Sequence, residues 1–366
     1  MEKAGIMLRV IIMGYGFAGR SLHHRCLSKM LQLGWNNVLK PGVVAIDKQS
    51  LLANITDVDV ICQTELTPIP NEQADYRVLH VCSPPQYHFD NIKTALECGY
   101  RQIIVEKPAV STQEELRQLI ALERFYEAKI LVVANWVSSA AVTEVVRLLE
   151  SQEYGNLKQI TVVQNKSRFM RSRQRSGEHV FDIEMPHQVA LALFLGGPAE
   201  LEEARVEDMI MPDKAIPNLG IGDLTLSHVN GVKSELRSSL VHTARERYLE
   251  VVTELGYKIR AAFPSGGDDS YSRLLITSPL GHDIANKLLF DDPLTLCFIN
   301  AYQYFIRSQQ SPDTDKPLGM DLSFNEYKVE ILEQAKRLAS TTKTEIGFQG
   351  TTLRNHGATV NASTVL

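Results

Sequence analysis

Three groups of residues in this 366-residue chain have the types and spacing that chemistry needs. The first is Gly14-x-Gly16-x-x-Gly19, which follows the apolar run "MLRVIIM" and precedes a helical pattern with Leu22, Cys26, Met30 and Leu33 at three- and four-residue steps. Strand, glycine turn, helix is the setting of a dinucleotide pyrophosphate. Gly14 permits the tight turn, Gly16 lets the backbone approach the phosphates, and Gly19 lets helix and strand pack closely. The helix N-terminus adds its positive dipole end. Tyr15, Phe17 and Ala18 complete the loop and count with the glycines as cofactor contacts. The next strand, "GVVAID", ends in Asp47, whose carboxylate can accept from both ribose hydroxyls and so favours NAD, while Lys48 beside it leaves NADP open.

The second group is Glu106-Lys107-Pro108, which closes the strand "IIVEKP". Neighbouring strand residues point to opposite faces, so the acid and the base cannot both aim at one substrate atom. The third is "HVFDIEMPHQVALALFLGGP", where Pro186 suits a first helical turn and Gly196-Gly197-Pro198 ends the helix. His187 then lies in that first turn. There the dipole disfavours an imidazolium, leaving a neutral hydrogen-bond partner for a substrate hydroxyl. Between the last two groups, "KSRFMRSRQRSGEH" gathers Lys166, Arg168, Arg171, Arg173 and Arg175. Guanidinium groups suit phosphate or carboxylate, although charge runs are commonly only solvated faces.

The elements that must position these residues divide the chain. Strands and helices alternate through residues 1–135, so the first sheet is mostly parallel and its ligands lie at the C-terminal strand ends, where Lys107 sits. From Leu157 to Ser278, period-two runs such as "LKQITVVQN", "DLTLSHVNG" and "KSELRSSLVH" argue for an antiparallel sheet. The fold class is therefore α/β, with a C-terminal α+β domain on a mostly antiparallel open sheet over residues 136–342 and a polar tail over 343–366. Ser323-x-x-Glu326 reads as a capping box for a helix running to about Ala339. One face of such a sheet is commonly covered by a twin subunit, so a homo-dimer or homo-tetramer is expected.

Composition narrows the partners. A net charge of -5 gives no electrostatic reason to expect nucleic acid, and no apolar run reaches the length of a membrane span. The N-terminal apolar patch leads into the glycine motif and has no signal-peptide cleavage site. Cys26, Cys62, Cys82, Cys98 and Cys297 show no metal-ligand spacing. They read as reduced thiols of a cytoplasmic protein without a metal.

"GYGFAGR", "CSPPQYHFDNIKTALECG" and "IIVEKPAVSTQEELRQL" together resemble the nucleotide-binding half of the glucose–fructose oxidoreductase / inositol dehydrogenase family (Gfo/Idh/MocA). Members carry Thr-Pro-Asn-x-x-His followed by Glu-Lys-Pro. Here the same order and spacing appear as Ser83-Pro84-Pro85-Gln86-Tyr87-His88 and Glu106-Lys107-Pro108. The likeness covers residues 7–135 and continues more loosely beyond. It implies a Rossmann domain in which Ser83, Pro84, His88 and Glu106 join the cofactor contacts and the Lys-Pro peptide is often cis. It also implies that Lys107 reaches the carbinol oxygen of a substrate beside the nicotinamide.

The resemblance implies an NAD(P)-dependent dehydrogenase or reductase acting on a sugar, sugar derivative or cyclitol, which is phosphorylated or nucleotide-linked if the arginine loop binds anions. Relatives have an aromatic-Arg pair where this chain has Asn135-Trp136-Val137, so Asn135 and Trp136 are candidate substrate contacts without the arginine. Arg168 is a third, since that loop borders the substrate in relatives. They also place an Asp four residues before the histidine. Ile183 stands there, so Asp182 or Glu184 must substitute, and Glu184 is favoured as a catalytic partner of Lys107 and His187. The family leaves two alternatives: a nucleotide-sensing regulator without turnover, and a non-redox enzyme that uses bound NAD transiently.

Overall fold

Short β-branched runs buried on both faces build the first sheet, as parallel strands require. The structure is a computed structural model and describes residues 7–53, 55–173, 177–183, 185–264 and 269–353, with side chains to Ser340. Strands β1 (Leu8–Met13), β2 (Leu39–Ile46), β3 (Val60–Gln63), β4 (Arg77–Val81), β5 (Gln102–Val105) and β6 (Lys129–Val132) are all parallel, in the order β3-β2-β1-β4-β5-β6. The order reverses between β1 and β4, so the crevice at their C-terminal ends is where a ligand fits.

The first crossover is π-wound over Phe17–His24 and continues as helix α1 (Arg25–Gln32). It is followed by α2 (Gln49–Leu52), α3 (His88–Glu97) and α4 (Gln113–Phe125). A reciprocal capping box between Thr112 and Glu115 opens α4 and fixes where the chain turns after Pro108.

Helix α5 (Ala140–Glu150) leads into the second layer. There β7 (Leu157–Ser167) is followed by helices α6 (Phe169–Arg173), α7 (Val180–Ile183) and α8 (Met185–Gly196). Strands β8 (Ala199–Val206), β9 (Met209–Ile210), β10 (Ala215–Ile216), β11 (Ile221–His228), β12 (Lys233–Ser239), β13 (Val241–Thr253), β14 (Lys258–Ala262), β15 (Tyr271–Thr277) and β16 (Asp283–Phe290) come next, then helices α9 (Pro293–Gln310) and α10 (Leu322–Leu353).

Eight strands form one sheet, ordered β16-β15-β14-β13-β7-β12-β11-β8. It is mixed: β7 and β12 are parallel, and the other pairs are antiparallel. β12 and β13 follow each other in opposite directions and both flank β7, so one of them has to run parallel to it. The inner face, with Ile160, Val162, Leu236, Leu249, Val251 and Ile259, belongs to one core that also takes in α5, α8, α9 and one face of the first sheet. That shared core holds the two layers in fixed register. The outer face carries Arg237 on Asp223 and Arg260 stacked over Tyr248 at 3.6 Å, and along β15 and β16 it exposes Tyr271, Leu288 and Phe290.

Helix α10 starts differently from its sequence signature. Asp321 caps it, its Oδ1 accepting from the Phe324 N–H at 2.7 Å, while Glu326 reaches out to Arg117. The Ser323–Glu326 capping box is therefore not formed, because Ser323 already lies inside the first turn. The helix spans Leu322–Leu353, past the expected end near Ala339. Among the described residues no helix is long and apolar enough to cross a membrane.

Candidate active site

The glycine loop is built as its chemistry demands. Gly14 has φ +88°, and a Cβ there would stand 2.4 Å from Ser83 N, so only glycine lets the loop pass the end of β4. A Cβ on Gly19 would lie 2.2 Å from the Gly14 carbonyl oxygen, whereas one on Gly16 would meet nothing within 4 Å. The loop is thus locked at both ends and open in the middle, a cradle that a pyrophosphate fits. Asp47 reaches back from β2: one carboxylate oxygen accepts from Tyr15 N–H and the other from Lys48 N–H, each at 2.8 Å. Tyr15 contributes backbone to the cradle. Its buried ring turns inward, its hydroxyl 2.5 Å from His24 Nδ1, and burial pushes that hydroxyl up to about 12. Phe17 is exposed at the helix start, and Ala18 is half-buried.

Strand β5 delivers Glu106 and Lys107 at its C-terminal end, and the Lys107–Pro108 peptide is cis. The two side chains diverge as alternation requires. Glu106 turns inward, accepting from His23 Nε2 at 3.0 Å and from the Lys107 N–H at 3.1 Å. His23 Nδ1 lies 2.7 Å from His80 Nδ1, and His80 Nε2 lies 2.9 Å from the Tyr302 hydroxyl. Burial pushes the Glu106 carboxyl up, but the hydrogen bond and charge of His23, then the Lys107 charge, outweigh it and hold it below the usual range. His80 is pushed well below the usual histidine range, by burial first and then by His23. Sequence reasoning missed His23, His80 and Tyr302. The one local sign was a histidine inside the central apolar strand "RVLHV".

Lys107 turns the other way, and its Nζ donates to the Ile183 carbonyl at 3.2 Å. His187 lies one turn further on, in α8, with its ring stacked on Trp136 at 5.4 Å and 14°. Its pKa is driven well below the usual value by burial and then by Lys107, Lys328, Lys166 and Arg247. Burial and four cations thus disfavour the imidazolium form. Lys107 lines a cavity of about 420 Å³ with Pro108, Asp182, Pro186, Asn325 and Lys328. Asn135 and Trp136 line a second one of about 340 Å³ with Ser21, Arg25, Arg247 and Phe263. Trp136 lines the second cavity with its ring stacked on His187, which itself lines neither.

Other sequence-derived residues are placed differently. Arg168 is buried and holds Glu178 through both guanidinium nitrogens, at 2.6 and 3.3 Å, so its charge is already matched within the fold. His88 is fully buried, with Nε2 2.7 Å from the Ser83 carbonyl and Nδ1 2.9 Å from that of Pro108. It braces the two loops against each other and presents no ring atom to solvent. Ser83 Oγ takes the Asn91 amide at 2.8 Å, and Pro84 is exposed. Asn135 Oδ1 accepts from Trp136 N–H at 3.0 Å. Asp182 pairs with Lys336 at 2.7 Å and is half-exposed at the cavity rim. Glu184 lies outside the described residues. No cluster of metal ligands occurs among those described.

Residues 8–134 match the family described as an oxidoreductase family with an NAD-binding Rossmann fold. No curated protein matches the chain. Among solved structures, the UDP-N-acetylglucosamine 3-dehydrogenase GnnA from Acidithiobacillus ferrooxidans aligns at TM-score 0.68 and 16% identity, covering 92% of this chain and 97% of that one. A 3-ketoreductase variant from Actinomadura kijaniata, in complex with TDP-benzene and NADP, aligns at TM-score 0.69 and 14% identity over 90% and 97% of the two chains. An oxidoreductase from Agrobacterium radiobacter, in complex with NAD+, L-tartaric acid and magnesium, aligns at TM-score 0.67 and 14% identity over 91% and 96%. At these identities the likeness speaks to the fold.

Proposed function

We propose, from the match of residues 8–134 to the NAD-binding Rossmann fold of the Gfo/Idh/MocA oxidoreductase family, that the chain is an NAD(P)-dependent dehydrogenase or reductase. Its substrate would be a secondary alcohol or ketone on a sugar, sugar derivative or cyclitol. The observation that supports this reading is the Lys107 ammonium at the cavity, bonded to the helix turn that precedes His187. The ammonium bonds the carbonyl of Ile183, one turn before the histidine, and is the strongest charge acting on that ring.

Gly14, Gly16 and Gly19 would hold the pyrophosphate and Asp47 the ribose, and the bound dinucleotide supplies the hydride acceptor or donor. Lys107 Nζ would hold the substrate oxygen and exchange its proton, since it stands at a C-terminal strand end beside a cavity. His187, neutral and fixed in plane by Trp136, would hydrogen-bond the same or a neighbouring hydroxyl. Glu106 acts through Lys107: it accepts the lysine's own N–H and fixes the backbone from which the ammonium extends. The sugar class is supported by the neighbour named a UDP-N-acetylglucosamine 3-dehydrogenase.

The test is Lys107→Met, assayed by NADH or NADPH absorbance. Turnover is expected to fall by about 10²- to 10⁴-fold, the usual contribution of a positioned proton-transfer group. Cofactor affinity, measured by fluorescence titration, stays near wild type. Undiminished turnover, or loss of cofactor binding, overturns the assignment.

A further inference from the structure

Helix α10 brings a second lysine to the Lys107 cavity. Lys328 is 7% exposed, lines the same space of about 420 Å³, and has one partner for its ammonium among the described residues, the neutral Oδ1 of Asn325 at 2.5 Å. The partner of Lys107 is neutral as well, the Ile183 carbonyl. Buried ammonium groups are strongly penalised unless a negative charge joins them. Among the described residues, the carboxylates that line this cavity are already committed: Glu178 is held by Arg168, and Asp182 and Glu333 share Lys336. Burial and then Lys107 lower the Lys328 pKa to about 8; Asp321, the one group raising it, is engaged in capping α10. The cavity includes neither the glycine loop nor Asp47, so cofactor phosphates held there would not supply the missing charge.

We propose that Lys107 and Lys328 form an oxyanion seat, and that the substrate is an acidic sugar or cyclitol whose carboxylate or phosphate lies close to the reacting hydroxyl. That the anion belongs to the substrate rests on the dehydrogenase reading; the seat itself does not. An anion between the two lysines replaces their mutual repulsion with two charge-assisted hydrogen bonds. Lys166 and Arg247, which with Lys107 and Lys328 act on His187, give the surroundings the same sign.

The full-length protein is treated with pyridoxal 5′-phosphate and, separately, with pyridoxal, which has the same aldehyde without the phosphate. A lysine amine adds to the aldehyde carbon, water leaves, and borohydride reduces the imine to a stable amine that peptide mass mapping locates. Labelling of Lys107 and Lys328 is expected to favour the phosphate probe about tenfold, the factor that corresponds to ~1.4 kcal/mol. Inorganic phosphate should suppress it. If acetate suppresses it equally the seat takes carboxylates, and if only phosphate does it takes phosphate esters. In Lys328→Met the preference at Lys107 should fall to near one, while Lys328→Arg keeps it. Equal labelling by both probes, no protection by either anion, or a preference that persists in Lys328→Met overturns the seat. The protection arm uses wild-type protein and stands even if the variants fold poorly. A confirmed seat with full turnover in Lys107→Met would sink the dehydrogenase reading alone.

Discussion

The buried chain Tyr302–His80–His23–Glu106 makes a prediction that its hydrogen-bond directions decide. An ionised Glu106 can only accept, so His23 Nε2 must donate to it. When both rings are neutral, the one state in which every link is satisfied, His23 Nδ1 accepts from His80 Nδ1, and His80 Nε2 accepts from the Tyr302 hydroxyl. Every link has one donor and one acceptor. Glu106→Gln removes the fixed direction. An amide that accepts from the Lys107 N–H presents its NH₂ to His23, so the chain must reverse, and the Tyr302 hydroxyl hydrogen is left without its acceptor. One buried unsatisfied group costs about 1–3 kcal/mol. Tyr302→Phe alone leaves His80 Nε2 unsatisfied and costs the same order. The double variant also has a single defect, because the reversed chain then ends at His80.

The two losses should therefore be strongly sub-additive. The double variant would lose about as much as either single one, a coupling of about 1–3 kcal/mol between side chains three links apart. Urea unfolding followed by tryptophan fluorescence measures all four proteins, with unchanged m-values as the control. Losses that add to within about 0.5 kcal/mol, as independent sites do, would refute the chain.

Two further outcomes test the site's construction. Gly14→Ala forces a side chain into a left-handed backbone 2.4 Å from Ser83 N, so a loss of at least about 2 kcal/mol of stability is expected; Gly16→Ala, with nothing within 4 Å, should leave unfolding unchanged and weaken NAD binding measured by calorimetry. Arg168→Met breaks a largely buried ion pair with Glu178 and should cost about 3 kcal/mol in urea unfolding, with the KM of the folded enzyme little changed; a large KM effect at unchanged stability would support the substrate contact expected of it.

What the sequence made legible was local. A glycine fingerprint, the buried run before Glu106-Lys107-Pro108 and the Pro186-to-Gly196 helix each lie within about twenty residues, and each sits on the element its pattern implies. The alternation of faces at 106 and 107 also followed from strand geometry alone, and it separates the glutamate chain from the lysine cavity. The pairing of Arg168 was not legible because an arginine-rich segment looks solvated or ligand-binding until its partner is known, and Glu178 lies ten residues on, beyond α6. The parallel pairing of β12 with β7 and the His80–Tyr302 contact, 222 residues apart, have no local signature; they arise only when two layers share one core.

The departure at Ile183 connects these strands of reasoning. In the family pattern that register carries a carboxylate, which would offer Lys107 a counter-charge and His187 a partner. Here the backbone carbonyl of Ile183 receives the ammonium, and α10 adds the buried Lys328 to the same cavity. Asp182, one residue before, is drawn outward to Lys336, and Glu184 lies outside the described residues. On the proposal above, a carbonyl at this register and a second cation in the cavity leave the negative charge to be brought by whatever binds. A substrate that brings its own carboxylate or phosphate then completes the arrangement, and a neutral one leaves two ammonium groups facing each other in a half-closed space. Ile183→Asp reverses that logic: it should shift preference toward the neutral member of a matched pair such as glucose and glucuronate, read as a ratio of kcat/KM. A ratio that does not move would mean that residue 183 does not set the charge the cavity selects.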